Sequence, residues 1–124
     1  MVKVELIYYN YQMKEVYYMI YDANSVDIIG ERQDGGIDFI IISSGAFDDS
    51  PEQQTILLDK IENYIAYLNS KSFSMEFPQI DKGKRWIKLR CEEKPTPLLT
   101  ELGKKIEEWV IGEGLLFSIE MMQV

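Results

Sequence analysis

The sequence contains no histidine and one cysteine, Cys91, in 124 residues. Without histidine the chain lacks the side chain best suited to moving protons near neutral pH. Ser-His and Cys-His nucleophile pairs and all histidine-containing zinc sites are excluded with it. One thiol can neither close an internal disulfide nor supply an all-cysteine zinc site, so nothing in the chain requires an oxidising compartment. No apolar run reaches the roughly 18 residues of a membrane-spanning helix, and no Walker-type or G-x-G-x-x-G phosphate loop occurs. The opening residues Met1-Val2-Lys3-Val4-Glu5 lack the charged-then-apolar layout of a secretory leader. A cytoplasmic location, no membrane partner, no metal and no cofactor are the expectations that follow.

Positive charge is scarce too. The formal net charge is −8, and residues 1–50 hold three basic groups (Lys3, Lys14, Arg32) against nine acidic ones. Binding to nucleic acid rests largely on neutralising phosphates with Lys and Arg, so a nucleic-acid partner is not expected. Solubility accounts for the acidity in the simplest case; recognition of a basic protein is the sharper account.

What the chain does have is a hydrophobic share of 46% and clear secondary-structure punctuation. Val26–Ile29 and Ile37–Ile42 are short β-branched runs separated by Gln33-Asp34-Gly35-Gly36. Asp-Gly between such runs predicts a hairpin whose central residues take positive φ. The second run is apolar at nearly every position, as in a strand covered on both faces; Asp27 and Asp38 are expected on an outward, solvated face. Ser50-Pro51-Glu52-Gln53 has the N-cap, first-turn proline and capping-box signature of a helix start. Leu57, Ile61, Tyr64, Ile65 and Leu68 follow at helical spacing to about Asn69. Between Ser70 and Lys84, the alternation of Phe73, Met75 and Phe77 predicts a short edge strand ended by Pro78.

Arg85–Cys91 reads as a strand with Arg85, Ile87, Leu89 and Cys91 on one face and Trp86, Lys88 and Arg90, continuing Lys84, on the other. Thr96-Pro97 opens a second helix with Leu98, Leu99, Leu102, Ile106, Trp109 and Val110 on its apolar face and a Glu101–Lys105 pair outside. Gly112 and Gly114 stop it. Leu115–Met121 is a last strand with Leu115, Phe117, Ile119 and Met121 inward. Before Ser25, Val2, Val4 and Leu6 alternate and Val16–Tyr21 is β-rich, which predicts a further hairpin; a helical stripe of Met13, Val16, Tyr17 and Ile20 is the competing reading.

The expected fold is α+β: a two-layer sandwich whose mixed sheet has a β-β-α-β-α-β core plus an N-terminal hairpin, with two helices on one face, since β-α-β crossovers are right-handed. One domain spans 1–124, with 1–24 as an extension and 25–124 as the core.

Ser25-Val26-Asp27-Ile28-Ile29, the turn glycines, the helix carrying Leu58, Lys60 and Tyr64-Ile65-Ala66-Tyr67-Leu68, the Phe77-Pro78 step and the strand from Leu115 together resemble a family of small uncharacterised bacterial domains, over roughly residues 25–121. Members of that family often have a Trp shortly after the second strand and a His opening the first helix; here Phe47 stands in that region and histidine is absent. The resemblance implies the fold and carries no activity.

Several features are candidates for function. Lys84, Trp86, Lys88 and Arg90 form a cationic, aromatic strand face in an acidic chain, and Trp and Arg are enriched at interface hot spots; the competing account tucks Trp86 under other structure with lysine stems around it. Phe73, Met75 and Phe77 form either a docking lip or core. Tyr8, Tyr9, Tyr11, Tyr17, Tyr18 and Tyr21 give the first segment a high aromatic density. Asp48, Asp49 and Glu52 cluster where the first helix's dipole favours acid; a weak divalent-cation site of oxygen ligands is the sharper account, without EF-hand spacing. Cys91 falls on the inward face as a small, inert hydrophobe. The leading functional expectation is a non-enzymatic protein-interaction domain, in one version an immunity-like inhibitor of a basic partner. The alternative is a small-molecule-binding or accessory enzyme domain with a tyrosine-lined pocket. Homodimerisation through a strand edge is compatible with both.

Overall fold

The hairpin around Asp34-Gly35 sets the register of the whole sheet. In the computed structural model, which describes residues 2–3, 13–22, 25–43 and 49–121, β3 (Ser25–Arg32) pairs antiparallel with β4 (Ile37–Ser43), Glu31 facing Ile37. Gly35 takes φ +89°, while Asp34 does not share the positive φ expected of it. The turn instead runs from the Arg32 carbonyl to the Gly35 N–H, and the Arg32 N–H then bonds the Gly36 carbonyl at 2.8 Å. This is a type I turn closed by a left-handed glycine. Asp34 stabilises it by accepting from the Gly36 N–H at 2.9 Å, and that bond, with Arg32 beside it, lowers the Asp34 pKa. A Cβ on Gly36 would lie 2.7 Å from the Lys84 carbonyl oxygen, so glycine lets the turn rest against the start of the next strand.

Among the described residues the sheet has six strands in sequence order. Two lie before β3: β1 (Val2–Lys3) and β2 (Met13–Asp22), paired antiparallel with each other, and β2 also with β3. The N-terminal hairpin reading therefore holds for these backbones, and the helical alternative for Met13–Ile20 does not. The last two strands, β5 (Arg85–Cys91) and β6 (Leu116–Met121), run parallel to β4. Such neighbours require crossovers. One contains α1 (Pro51–Leu68) and α2 (Lys71–Glu76); the other is α3 (Pro97–Gly112). The architecture is α+β with a mixed sheet.

Both crossovers cover one face. Ile29, Ile37, Phe39, Ile41, Ile87, Leu89 and Phe117 share a single core with Leu57, Ile61, Tyr64 and Leu68 of α1 and Leu99, Ile106 and Val110 of α3. The helices begin as their caps dictate: the Ser50 and Thr96 hydroxyls accept from Gln53 N–H and Leu99 N–H, each at 3.1 Å. At its end, α3 forms a Schellman motif, with Gly114 at φ +82° and its N–H on the Ile111 carbonyl, and the Leu115 N–H on the Val110 carbonyl.

Four expectations need correction. Residues 71–76 are helical, because Ser70 caps them by accepting from the Phe73 N–H at 3.1 Å. A helix places Phe73 and Phe77 one turn apart, stacked at 5.3 Å and buried, whereas a strand would have set Met75 beside them; Met75 is 72% exposed. Leu98 and Trp109 stand on a flank of α3 and are 43% and 37% exposed, while Gly103 completes its buried face. Met121 is exposed at the end of β6. The exposed ion pair on α3 joins Glu101 to Lys104, at 3.3 Å, where Lys105 was expected.

Candidate interaction site

Strand alternation sends Arg85, Ile87, Leu89 and Cys91 toward the helices and Trp86, Lys88 and Arg90 to the opposite face of β5. In register, Asp38 of β4 lies beside Trp86, and Ser118 and Glu120 of β6 lie beside Lys88 and Arg90. The result is a line of alternating charge across four strands. Arg32 Nε sits 3.2 Å from Asp34 and its Nη1 3.4 Å from Asp38; Lys88 Nζ is 3.1 Å from Asp38 and 3.5 Å from Glu120; Arg90 Nη2 is 3.3 Å from Glu120. Lys88 Nζ also lies 5.2 Å from the Trp86 ring centroid, a cation–π contact.

Asp38 is therefore fully buried rather than solvated. It occupies an interior strand, where a carboxylate is tolerated only with ion partners and hydrogen bonds. Burial pushes its carboxyl up from the ordinary range, and Lys88 and then Arg32 pull it back. Of the predicted cationic strip, Lys88 is buried, Trp86 and Arg90 are half-buried, and Lys84 is exposed with its Nζ on the Asp34 carbonyl at 3.1 Å. The strip is brought together as expected, but Lys88 and Arg90 meet carboxylates of this same chain. Sequence alternation located the cations; the acids opposite them come from other strands.

On the helix side, Arg85 is buried among main-chain oxygens. Its Nη1 donates to the Leu68 carbonyl at 2.5 Å and Asn69 Oδ1 at 3.1 Å, its Nε to the Lys82 carbonyl at 2.9 Å, and its Nη2 reaches the Gly114 carbonyl at 3.5 Å. Neither α1 nor α3 has a basic residue in its last turn. Arg85 thus supplies from the sheet the cation that both helix C-termini favour, while desolvation lowers its own pKa.

Phe73 and Phe77 belong to an aromatic run, with Tyr67 stacked edge-on to Phe73 at 5.7 Å and tilted against Phe39 at 5.9 Å. The Tyr67 hydroxyl donates to Glu76 at 2.7 Å, and burial together with that carboxylate raises its pKa. Tyr64 packs edge-on against Phe39 at 5.1 Å in the core. The side chains of Tyr8, Tyr9, Tyr11, Tyr17, Tyr18 and Tyr21 lie outside the described residues, as do Asp48 and the side chain of Asp27. Asp49, at φ 60°, accepts from the Thr96 hydroxyl at 2.5 Å and so ties the start of α1 to that of α3. Among the described residues no three acidic or sulfur ligands group around a common point, and no helix is long and apolar enough to cross a membrane.

Cys91 is 3% exposed, and burial raises its thiol pKa. Reaction requires the accessible thiolate. Ellman's reagent is therefore expected to label native protein only as fast as it unfolds, and denatured protein at once; rapid labelling of the native state would contradict the packing.

One cleft was missed in the sequence. It runs along β6 on its helix side, about 290 Å³ in volume, with Thr100, Gly103, Lys104 and Glu107 on one wall and Ser118 and Ile119 on the other. Its signal was Gly103, a residue that costs about 1 kcal/mol relative to Ala inside a helix. A Cβ there would lie 2.6 Å from Ile119 Cδ1, so the glycine brings α3 down onto β6.

The sheet and its crossovers define a mixed α+β fold, with a charged face on the side away from the helices. The chain belongs to a family of unknown function, DUF6572, which it matches over residues 18–123, beginning within β2 rather than at β3. No curated protein and no solved structure matches it.

Proposed function

We infer that the protein is a non-enzymatic interaction domain for a basic protein partner, acting in the manner of an immunity-like inhibitor in the cytoplasm. The observation that carries this reading is where the cations go. Arg32, Lys88 and Arg90 are held against carboxylates of their own chain, and Arg85 is buried at the helix ends. The chain's −8 charge is thus carried by a surface with fewer cations available to a partner than composition suggests. Such a surface steers a cationic partner and opposes polyanions.

The test is affinity capture from lysate of the source organism at low and high salt. A stoichiometric basic protein, released as salt rises, is the expected result. An empty bait at low salt, or a bound partner that is acidic and indifferent to salt, would overturn the reading.

A further inference from the structure

We propose that β6 pairs with β6 of a second copy across a two-fold axis, making one continuous sheet with the two α3 helices side by side. Among the described residues β6 is bonded to β5 on one side and ends the sheet on the other. Edge strands in monomers are guarded by lysine, proline, a bulge or a covering element. Leu116-Phe117-Ser118-Ile119-Glu120-Met121 has no lysine or proline, its pairing with β5 is regular, and its one charge, Glu120, is turned to Lys88 and Arg90.

The second copy is favoured as occupant because the flank of α3 beside this edge is complementary to itself. Lys104 and Glu107 stand on that flank, lining the cleft, and both are exposed. Gly103 meets Ile119, which fixes the level of the helix over the strand. With about 1.5 Å of rise per helical residue and about 3.3 Å per strand residue, and α3 running back against β6, the midpoint between Lys104 and Glu107 lies level with Ser118. An axis through Ser118 therefore sets Lys104 of each copy against Glu107 of the other. It brings Ile111, 55% exposed and on the same flank, toward Thr100 of the other copy. Antiparallel pairing keeps both helix layers on one face, so the partner's α3 closes the cleft. This interface is isologous, as a two-fold demands, and leaves the ion-pair face available to the basic partner.

The experiment is sedimentation equilibrium of the full chain, with Lys104→Glu, Glu107→Lys and the double swap Lys104→Glu/Glu107→Lys. Wild type is expected at twice the 14.5 kDa chain mass. Each single variant puts like charges together at both symmetric contacts and should weaken the dimer about tenfold or more, with circular dichroism unchanged because both positions are exposed. The double swap should restore dimerisation. A monomeric wild type would overturn the proposal, as would a dimer indifferent to both single changes. Neither result touches the capture experiment, whose bait can bind its partner as monomer or dimer.

Discussion

Lys88→Met should lower the free energy of unfolding by about 3–5 kcal/mol, the cost of removing one partner from a buried ion pair. Asp38 is fully buried, and with Lys88 gone its nearest cation is Arg32 at 3.4 Å, already shared with Asp34. Asp38→Leu should cost less, because Lys88 keeps Glu120 at 3.5 Å. The double variant Asp38→Leu/Lys88→Met should be more stable than Lys88→Met alone, since an apolar pair replaces an uncompensated charge. The deficit of Lys88→Met should also depend on pH. Burial already raises the Asp38 pKa above its unfolded value, and losing Lys88 raises it further. The folded state then binds more protons than the unfolded state between the two pKa values, so stability falls as pH rises through that window. Lys88→Met should therefore be closest to wild type in acid and furthest from it near neutrality. Urea denaturation across a pH series measures this, and a deficit that stays constant would show that Asp38 is not the group left uncompensated.

The second large effect is expected at Arg85. Arg85→Met leaves the Leu68 carbonyl, whose bond is buried, without its donor and removes the part-buried bonds to the Lys82 and Gly114 carbonyls, at a cost on the order of 3 kcal/mol. It also removes a cation from the C-terminal ends of α1 and α3, neither of which has a basic residue in its own last turn. Arg85→Lys keeps the charge but loses the forked geometry that serves several oxygens at once, so its denaturation midpoint should fall between those of Met and wild type. Hydrogen exchange should localise the damage to the last turns of α1 and α3. If Lys matched Arg in full, charge alone would be the stabilising element and the fork irrelevant.

Much of the fold was legible because its signals are local. Ser50-Pro51 and Thr96-Pro97 mark helix starts through caps that act within four residues, and the α1 stripe from Leu57 to Leu68 follows from helical period alone. Cys91 and Arg85 were placed on the right face of β5 by alternation, which needs no partner strand. Where local signals conflicted, the pattern misled. Phe73, Met75 and Phe77 satisfy both a strand's period and, for the two phenylalanines, a helix's i,i+4 spacing; the Ser70 cap and the aromatic seat beside Tyr67 decided for the helix. Leu98 and Trp109 looked like core because apolarity reports that a residue can be buried, while the side of α3 that rests on the sheet, with Gly103 against Ile119, decides which flank is.

The sequence by itself determined the two long helices with their caps, the position of the Asp34-Gly35 hairpin and the exclusion of histidine-dependent sites and an internal disulfide, since each depends on residues close together in the chain or on composition. Tertiary structure alone decided that Lys88 and Arg90 of β5 pair with Asp38 and Glu120 of neighbouring strands, and that Arg85 closes two helix ends. It also decided that, among the described residues, β6 ends the sheet beside an open cleft. Charge pairing and burial depend on which strands become neighbours, and strand order joins residues far apart in sequence through contacts that no local periodicity encodes.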